Sequence, residues 1–155
     1  GYTLHACALR PKSRGRIGLR SADPAAPAAI HANYLSDVDG WDLKMMIEAA
    51  KLSREIFAQA AFAPYRGPEI YPGDAVRSDA DIEAFVRRKA ESIYHPIGTC
   101  RTGADADAVV DNKLRVRGVD GLRVVDASVM PCLPGGNTNA PTIMIAERAA
   151  SLIAA

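Results

Sequence analysis

The sequence predicts an α+β fold, on three observations. Alternating polar and apolar residues give residues 1–35 a β texture. Two amphipathic helical patterns follow, over residues 41–62 and from Ser78 to His95. The β texture returns from Val109 and gives way to a last helix. With 155 residues and 48% hydrophobic composition, the chain can fill the core of one domain, or of part of a larger one.

In the first stretch, Tyr2 to Leu9 reads as a strand, and Arg16-Ile17-Gly18-Leu19-Arg20 alternates as a half-buried strand does. Ser21-Ala22-Asp23-Pro24 and Pro27 break it, and Ile30 to Leu35 resumes extended structure. Asp39 is the expected N-cap of the first helix, with Asp42 as its capping-box acid. The apolar face of that helix is Leu43, Met46, Ile47, Ala50, Phe57 and Ala61. Ser78 with Asp81 caps the second helix, whose apolar face is Ile82, Phe85, Val86 and Ile93. Pro96 is expected to end it, because the residue before a proline is pushed out of the α region; that residue is His95. Ala108 to Asp111, Leu114 to Val116 and Leu122 to Val125 read as short strands, with Asp120-Gly121 as a hairpin turn. The last helix is expected from about Ala140 to Ile153, with Pro141 acceptable in its first turn.

The totals exclude several function classes. A formal net charge of +1 provides no field to steer nucleic acid, despite the basic run Arg10, Lys12, Arg14, Arg16 and Arg20. That run lacks interleaved aromatics, so it reads as a solvated strand face and no nucleic-acid partner is expected. Cys7, Cys100 and Cys132 form no CxxC pair and are read as reduced thiols of a cytoplasmic protein, free or peripheral to a membrane. No apolar run approaches the ~18 residues that span a bilayer. No metal site is expected of His5, His31, His95 and Cys100, which have no ligand spacing. Ser128 with His95 and Asp126 suggests a hydrolase, but no G-x-S-x-G elbow is present.

Two polar clusters carry the chemistry. The first is Tyr94-His95-Pro96-Ile97-Gly98-Thr99-Cys100-Arg101, where proline and glycine fix an irregular backbone around an imidazole. Imidazole titrates near ~6.5 and accepts a proton at physiological pH, so His95 is the candidate general base. The second is Gly135-Gly136-Asn137-Thr138-Asn139-Ala140-Pro141-Thr142, which opens the last helix. One helix cap needs one side chain, and this loop supplies several. A helix N-terminus also stabilises an electron-rich group. A base beside an anion-stabilising helix start suits the oxidation of an alcohol, in which a proton and a hydride leave in different directions.

These stretches, with Gly121-Leu122-Arg123-Val124-Val125-Asp126-Ala127-Ser128 and Glu147-Arg148, resemble the C-terminal signature of the glucose-methanol-choline (GMC) family of FAD-dependent alcohol oxidoreductases. Val110-Asp111, Leu9 to Gly15 and Asp23-Pro24 fit the same pattern, which is most similar to the choline dehydrogenase-like branch. The resemblance implies that His95 is the catalytic base beside flavin N5, and that Asn139 is the second catalytic position. It implies that Asp126 and Ala127 approach the FAD ribityl and pyrophosphate. Asn139, Ala140, Pro141 and Thr142 are implied to face the flavin N1–C2 carbonyl edge. Thr102 departs from the pattern, where a Met usually follows the arginine.

The G-x-G-x-x-G turn of such a flavoprotein does not occur in these residues. The resemblance therefore implies a C-terminal fragment of a larger two-domain enzyme. Residues 1–92 would be the C-terminal part of the substrate-binding domain, with an antiparallel sheet and long helices. Residues 93–155 would be the catalytic His segment and the C-terminal piece of the FAD-binding domain. The expected partners are a small alcohol and the N-terminal FAD-binding part. The alternative is a substrate-cap or interaction domain that is inert when isolated. No aromatic cage for a quaternary ammonium is evident, as Trp41 and the tyrosines are scattered.

Overall fold

The structure is a computed structural model that describes residues 1–154. Strands β1 (Arg16–Gly18) and β2 (Ala29–His31) form a two-stranded antiparallel sheet. They are followed by helix α1 (Trp41–Ala58), a 3-10 turn (Ala60–Tyr65) and helix α2 (Asp79–Lys89). A short 3-10 turn (Ala127–Val129) and helix α3 (Asn139–Ala154) complete this small α+β arrangement. No helix of the described residues is long and apolar enough to cross a membrane.

The chain divides into two compact units. One contains residues 1–15 and 30–93; the other contains residues 16–29 and the described residues from Tyr94 onward. Residues 16–29 thus fall in the same contact unit as the segment that begins at Tyr94. Local pattern reports what a segment is made of, not which distant segment it meets.

In the first unit, α1 starts differently from the sequence expectation. Its N-cap is Gly40, with φ +64° and no side-chain cap. Asp37 takes over the work of Asp39, its carboxylate accepting the N–H groups of Trp41 and Asp42. Asp42 is not a capping-box acid but a buried carboxylate, 4% exposed, that accepts the N–H groups of Lys12 at 2.8 Å and Ser13 at 2.9 Å. Gly15 lies so close to this region that a Cβ there would meet the His31 carbonyl at 2.5 Å. Only a glycine fits such an approach. The rings of Tyr2, Phe57 and Phe62 stack against one another with centroids 4.9 to 5.6 Å apart.

Helix α2 starts as its sequence predicts, with a complete Ser78–Asp81 capping box. Ile82 and Val86 are buried at 1% and 4% exposure, in a unit where α1 packs on α2. Each such burial contributes about 1.5–3 kcal/mol. Its end is not at Pro96. The helix stops at Lys89, where the Ala90 N–H closes the last turn on Val86 and three basic residues face the negative end of the helix. Ile93 is consequently half exposed instead of part of the apolar face.

Residues 1–9 form no strand, and the stretches read as strands after Val109 form isolated bridges: Thr102 with Val110, Val110 with Val116, and Arg115 with Arg123. Extended segments become strands only where a neighbour completes the ladder of hydrogen bonds. The core of the second unit lies around these bridges and consists of Ala108, Val110, Val129, Met130 and Ala149.

Candidate active site

His95 sits in a loop of the second unit rather than at the end of a helix. Tyr94 before it has φ +60° and Pro96 follows, so the backbone on both sides is constrained. The imidazole-bearing residue is half-buried. Gly98 then turns the chain with φ +85°, a conformation that glycine adopts without a Cβ penalty, and the Arg101 N–H closes the turn on the Gly98 carbonyl at 3.2 Å.

The far end of this loop is tied at several points. The Cys100 N–H donates to the Ser128 carbonyl at 3.0 Å, and the Thr102 N–H to the Val129 carbonyl at 2.9 Å. A Cβ on Gly98 would touch the Met130 carbonyl at 3.4 Å. Three successive carbonyls, of residues 128–130, thus line the same segment. The Thr102 hydroxyl adds a bond to the Asp111 carbonyl at 3.2 Å. Arg101 is committed elsewhere: it grips Asp105 with bonds of 2.9 and 2.6 Å and holds that carboxyl far below its usual range.

The 127–129 turn is itself built by Asp126. Its carboxylate accepts the Ser128 N–H at 2.7 Å, while its carbonyl accepts the Val129 N–H at 3.2 Å. The chain then runs through residues 130–138, with Met130 and Thr138 buried, into α3. Asn139 and Ala140 form the exposed first positions of α3, and Pro141 and Thr142 are half-buried. The Thr142 N–H and hydroxyl both donate to the Thr138 carbonyl, at 3.0 and 2.7 Å, so that hydroxyl has only lone pairs left for another group. The inner face of the helix carries Ile145, Ala149 and Leu152.

The structure therefore joins residues 100–102, downstream of His95, by backbone hydrogen bonds to Ser128 and Val129, which follow Asp126 and Ala127. Asn139 stands at the other end of the stretch that leaves the turn. Sequence reasoning missed the roles of Ser128, Val129 and Met130; the Asp-x-Ser pattern of an Asx turn was the one local signal for them. Two grooves lie away from these residues. One is lined by Asp111, Arg115 and Val119, the other by Cys7, Leu9, Trp41 and Met45, and neither is lined by His95 or Asn139.

Asn139 and Ala140 occupy helix positions whose N–H groups have no intrahelical partner, and a Cβ on Gly136 would meet nothing within 4 Å. An electron-rich planar edge fits this open, donor-lined helix start.

The chain is similar to known proteins along nearly its whole length. A family profile described as GMC oxidoreductase matches residues 11–146. The chain is 58% identical over 153 residues to an alcohol dehydrogenase (acceptor) of Pseudomonas putida, covering 99% of this chain and 27% of that protein. It is 52% identical over 154 residues to the mitochondrial choline dehydrogenase of Mus musculus, covering 98% of this chain and 26% of that protein. Among solved structures, an FAD-dependent oxidoreductase from Chaetomium thermophilum superimposes with a TM-score of 0.83 at 30% identity, over 94% of this chain and 25% of the other. The chain thus spans about a quarter of the length of the relatives it matches.

Proposed function

The chain belongs to the GMC oxidoreductase family, and from that premise we propose that it is the C-terminal portion of an FAD-dependent enzyme that oxidises an alcohol to an aldehyde. FAD, when bound, supplies the hydride acceptor at its N5. His95 accepts the hydroxyl proton of the substrate through a ring nitrogen, so that the C–H bond is broken from an alkoxide-like oxygen. Asn139 offers an uncharged amide at the second catalytic position and orients the same oxygen. The free N–H groups at the start of α3 stabilise the electron-rich edge of the cofactor through the helix dipole. Ala140 keeps that edge accessible, while Pro141 and the lone pairs of Thr142 complete the surface. The Asp126–Ala127 turn presents backbone to the ribityl and pyrophosphate.

The observation that supports this reading is the tying of residues 100–102, the far end of the His95 loop, to Ser128 and Val129 of the turn that Asp126 opens. The anchored end of the loop that carries His95 is thereby joined to the turn proposed to face the cofactor, which suits orientation-dependent catalysis. The alcohol substrate enters as the class on which the named relatives act: an alcohol and choline. Isolated, the chain lacks most of the length of those relatives, and the proposal assigns it half of an active site with no turnover of its own. The free thiols of Cys7, Cys100 and Cys132 suit a reducing, cytoplasmic setting, in solution or at a membrane face.

The test is His95→Ala in the complete enzyme. A drop in flavin reduction of at least ~10²-fold is expected, the scale of lost general-base catalysis. Reduction at the wild-type rate removes His95 from the mechanism.

A further inference from the structure

We propose that the Asp126 carboxylate is a positioning group, which holds the His95 segment in register by capping the 127–129 turn, rather than one that acts on the cofactor through its charge. The inference deepens the proposed function and rests on its reading of His95 as the base.

The carboxylate is already committed to the backbone of its own turn. Oδ1 accepts the Ser128 N–H at 2.7 Å, the bond that closes an Asx turn. With the Asp126 carbonyl holding Val129 and the Ala127 carbonyl holding Met130 at 3.2 Å, this bond fixes the direction of the next carbonyls. Those carbonyls, of Ser128 and Val129, receive Cys100 and Thr102. The Met130 carbonyl abuts Gly98. A swing of the turn would thus be transmitted directly to residues 98–102, the anchored end of the loop that starts at His95. Val129 and Met130 are buried at 2% and 6% exposure, so the turn is held from below by the core. Its exposed rim has Asp126 as its tie. No cation approaches the Asp126 carboxylate among the ion pairs of the described residues, which fits a hydrogen-bonding role over an electrostatic one.

Asparagine caps such turns as well as aspartate but without charge, while alanine cannot cap. This separates the two roles. In the complete enzyme, the Cys100 and Thr102 amides should exchange with deuterium about fivefold faster in Asp126→Ala than in Asp126→Asn, the scale of a lost cap. Flavin reduction should be at least about fivefold slower in Asp126→Ala than in Asp126→Asn, with FAD affinity at the wild-type value in both. Two results overturn the proposal. One is equal exchange in the two variants. The other is a shared loss of FAD affinity, which would place the charge on the cofactor. If Asp126→Ala does not fold, Asp126→Ser, whose hydroxyl also caps, takes its place. Native amide protection in both the Asn and Ser variants then supports the proposal, and lost protection in both overturns it. His95→Ala is measured alongside: normal flavin reduction there defeats the base assignment alone, because the exchange contrast at residue 126 does not depend on it.

Discussion

Arg54 and Glu69 are joined by a two-pronged ion pair, in which Nε and Nη2 of the guanidinium donate to the two carboxylate oxygens at 2.9 Å each. The same Nη2 reaches the Gly73 carbonyl at 3.3 Å, so one side chain of α1 fastens the loop after the 3-10 turn at two points. Both partners are about three-quarters shielded from solvent, with side-chain exposures of 24% and 27%. The arginine beside it holds the Glu69 carboxyl below its usual range, and the carboxylate in turn raises the arginine.

Glu69→Gln should therefore destabilise the first unit by about 1–2 kcal/mol, because a partly buried guanidinium loses its charged partner. The measurement is amide exchange across residues 66–77 in the complete enzyme. Unchanged exchange would reduce the pair to a surface contact of negligible worth.

Asp42 is the more sensitive carboxylate. Burial pushes its carboxyl up, but the hydrogen bonds from Ser13 and Lys12 and the charge of Arg14 outweigh burial and leave it below the ordinary value. Asp42→Ala leaves the Lys12 and Ser13 N–H groups without acceptors and should cost about 2–3 kcal/mol in denaturant unfolding. Lys12 and Ser13 donate to different oxygens of Asp42, so Asp42→Asn sets an NH2 donor against one of these N–H groups and should fall between wild type and alanine.

The second unit should lose stability in acid. The Asp111 carboxyl is lowered to about 2 by the N–H and guanidinium of Arg115, helped by the Lys113 N–H. A group lowered on folding contributes stability that is complete above its unfolded value, near ~3.9, and that is lost as pH falls through the folded one. Protection factors for residues 109–117 should be flat from about pH 7 to 5 and decline between about pH 4 and 2. Asp111→Asn should show a flatter decline over that acid window; an identical slope would assign it to other carboxyls.

Asn139 separates capping from catalysis. The helix already has Thr138 as its buried preceding residue, with both Thr142 donors on the Thr138 carbonyl. If Asn139 has the proposed role at the reacting oxygen, Asn139→Ala in the complete enzyme should slow flavin reduction by at least about 10-fold while changing substrate affinity little. A change confined to affinity or to helix stability would return Asn139 to a structural role.

Much of the local structure was legible in the sequence because it depends on neighbours only a turn away. The Ser78–Asp81 box, the burial of Ile82 and Val86 and the start of α3 near Asn139 all follow from spacing of three or four residues. The two polar clusters were legible too, since Pro96, Gly98 and Asn139 announce loops and helix starts by their own backbone preferences. Tertiary structure decided the rest. It replaced Asp39 with Asp37 at the start of α1, because the chain path around Ser13 and Gly15 brings the carboxylate of Asp37 to the free N–H groups. It buried Asp42 under the N–H groups of Lys12 and Ser13, and it stopped α2 at Lys89 rather than at the proline. It also laid residues 98–102 along the carbonyls of residues 128–130. Backbone donors and acceptors are the same in every residue, so no side-chain pattern specifies which distant carbonyl a given N–H will meet. Only the packed chain, with Val129 and Met130 in its core, makes that choice.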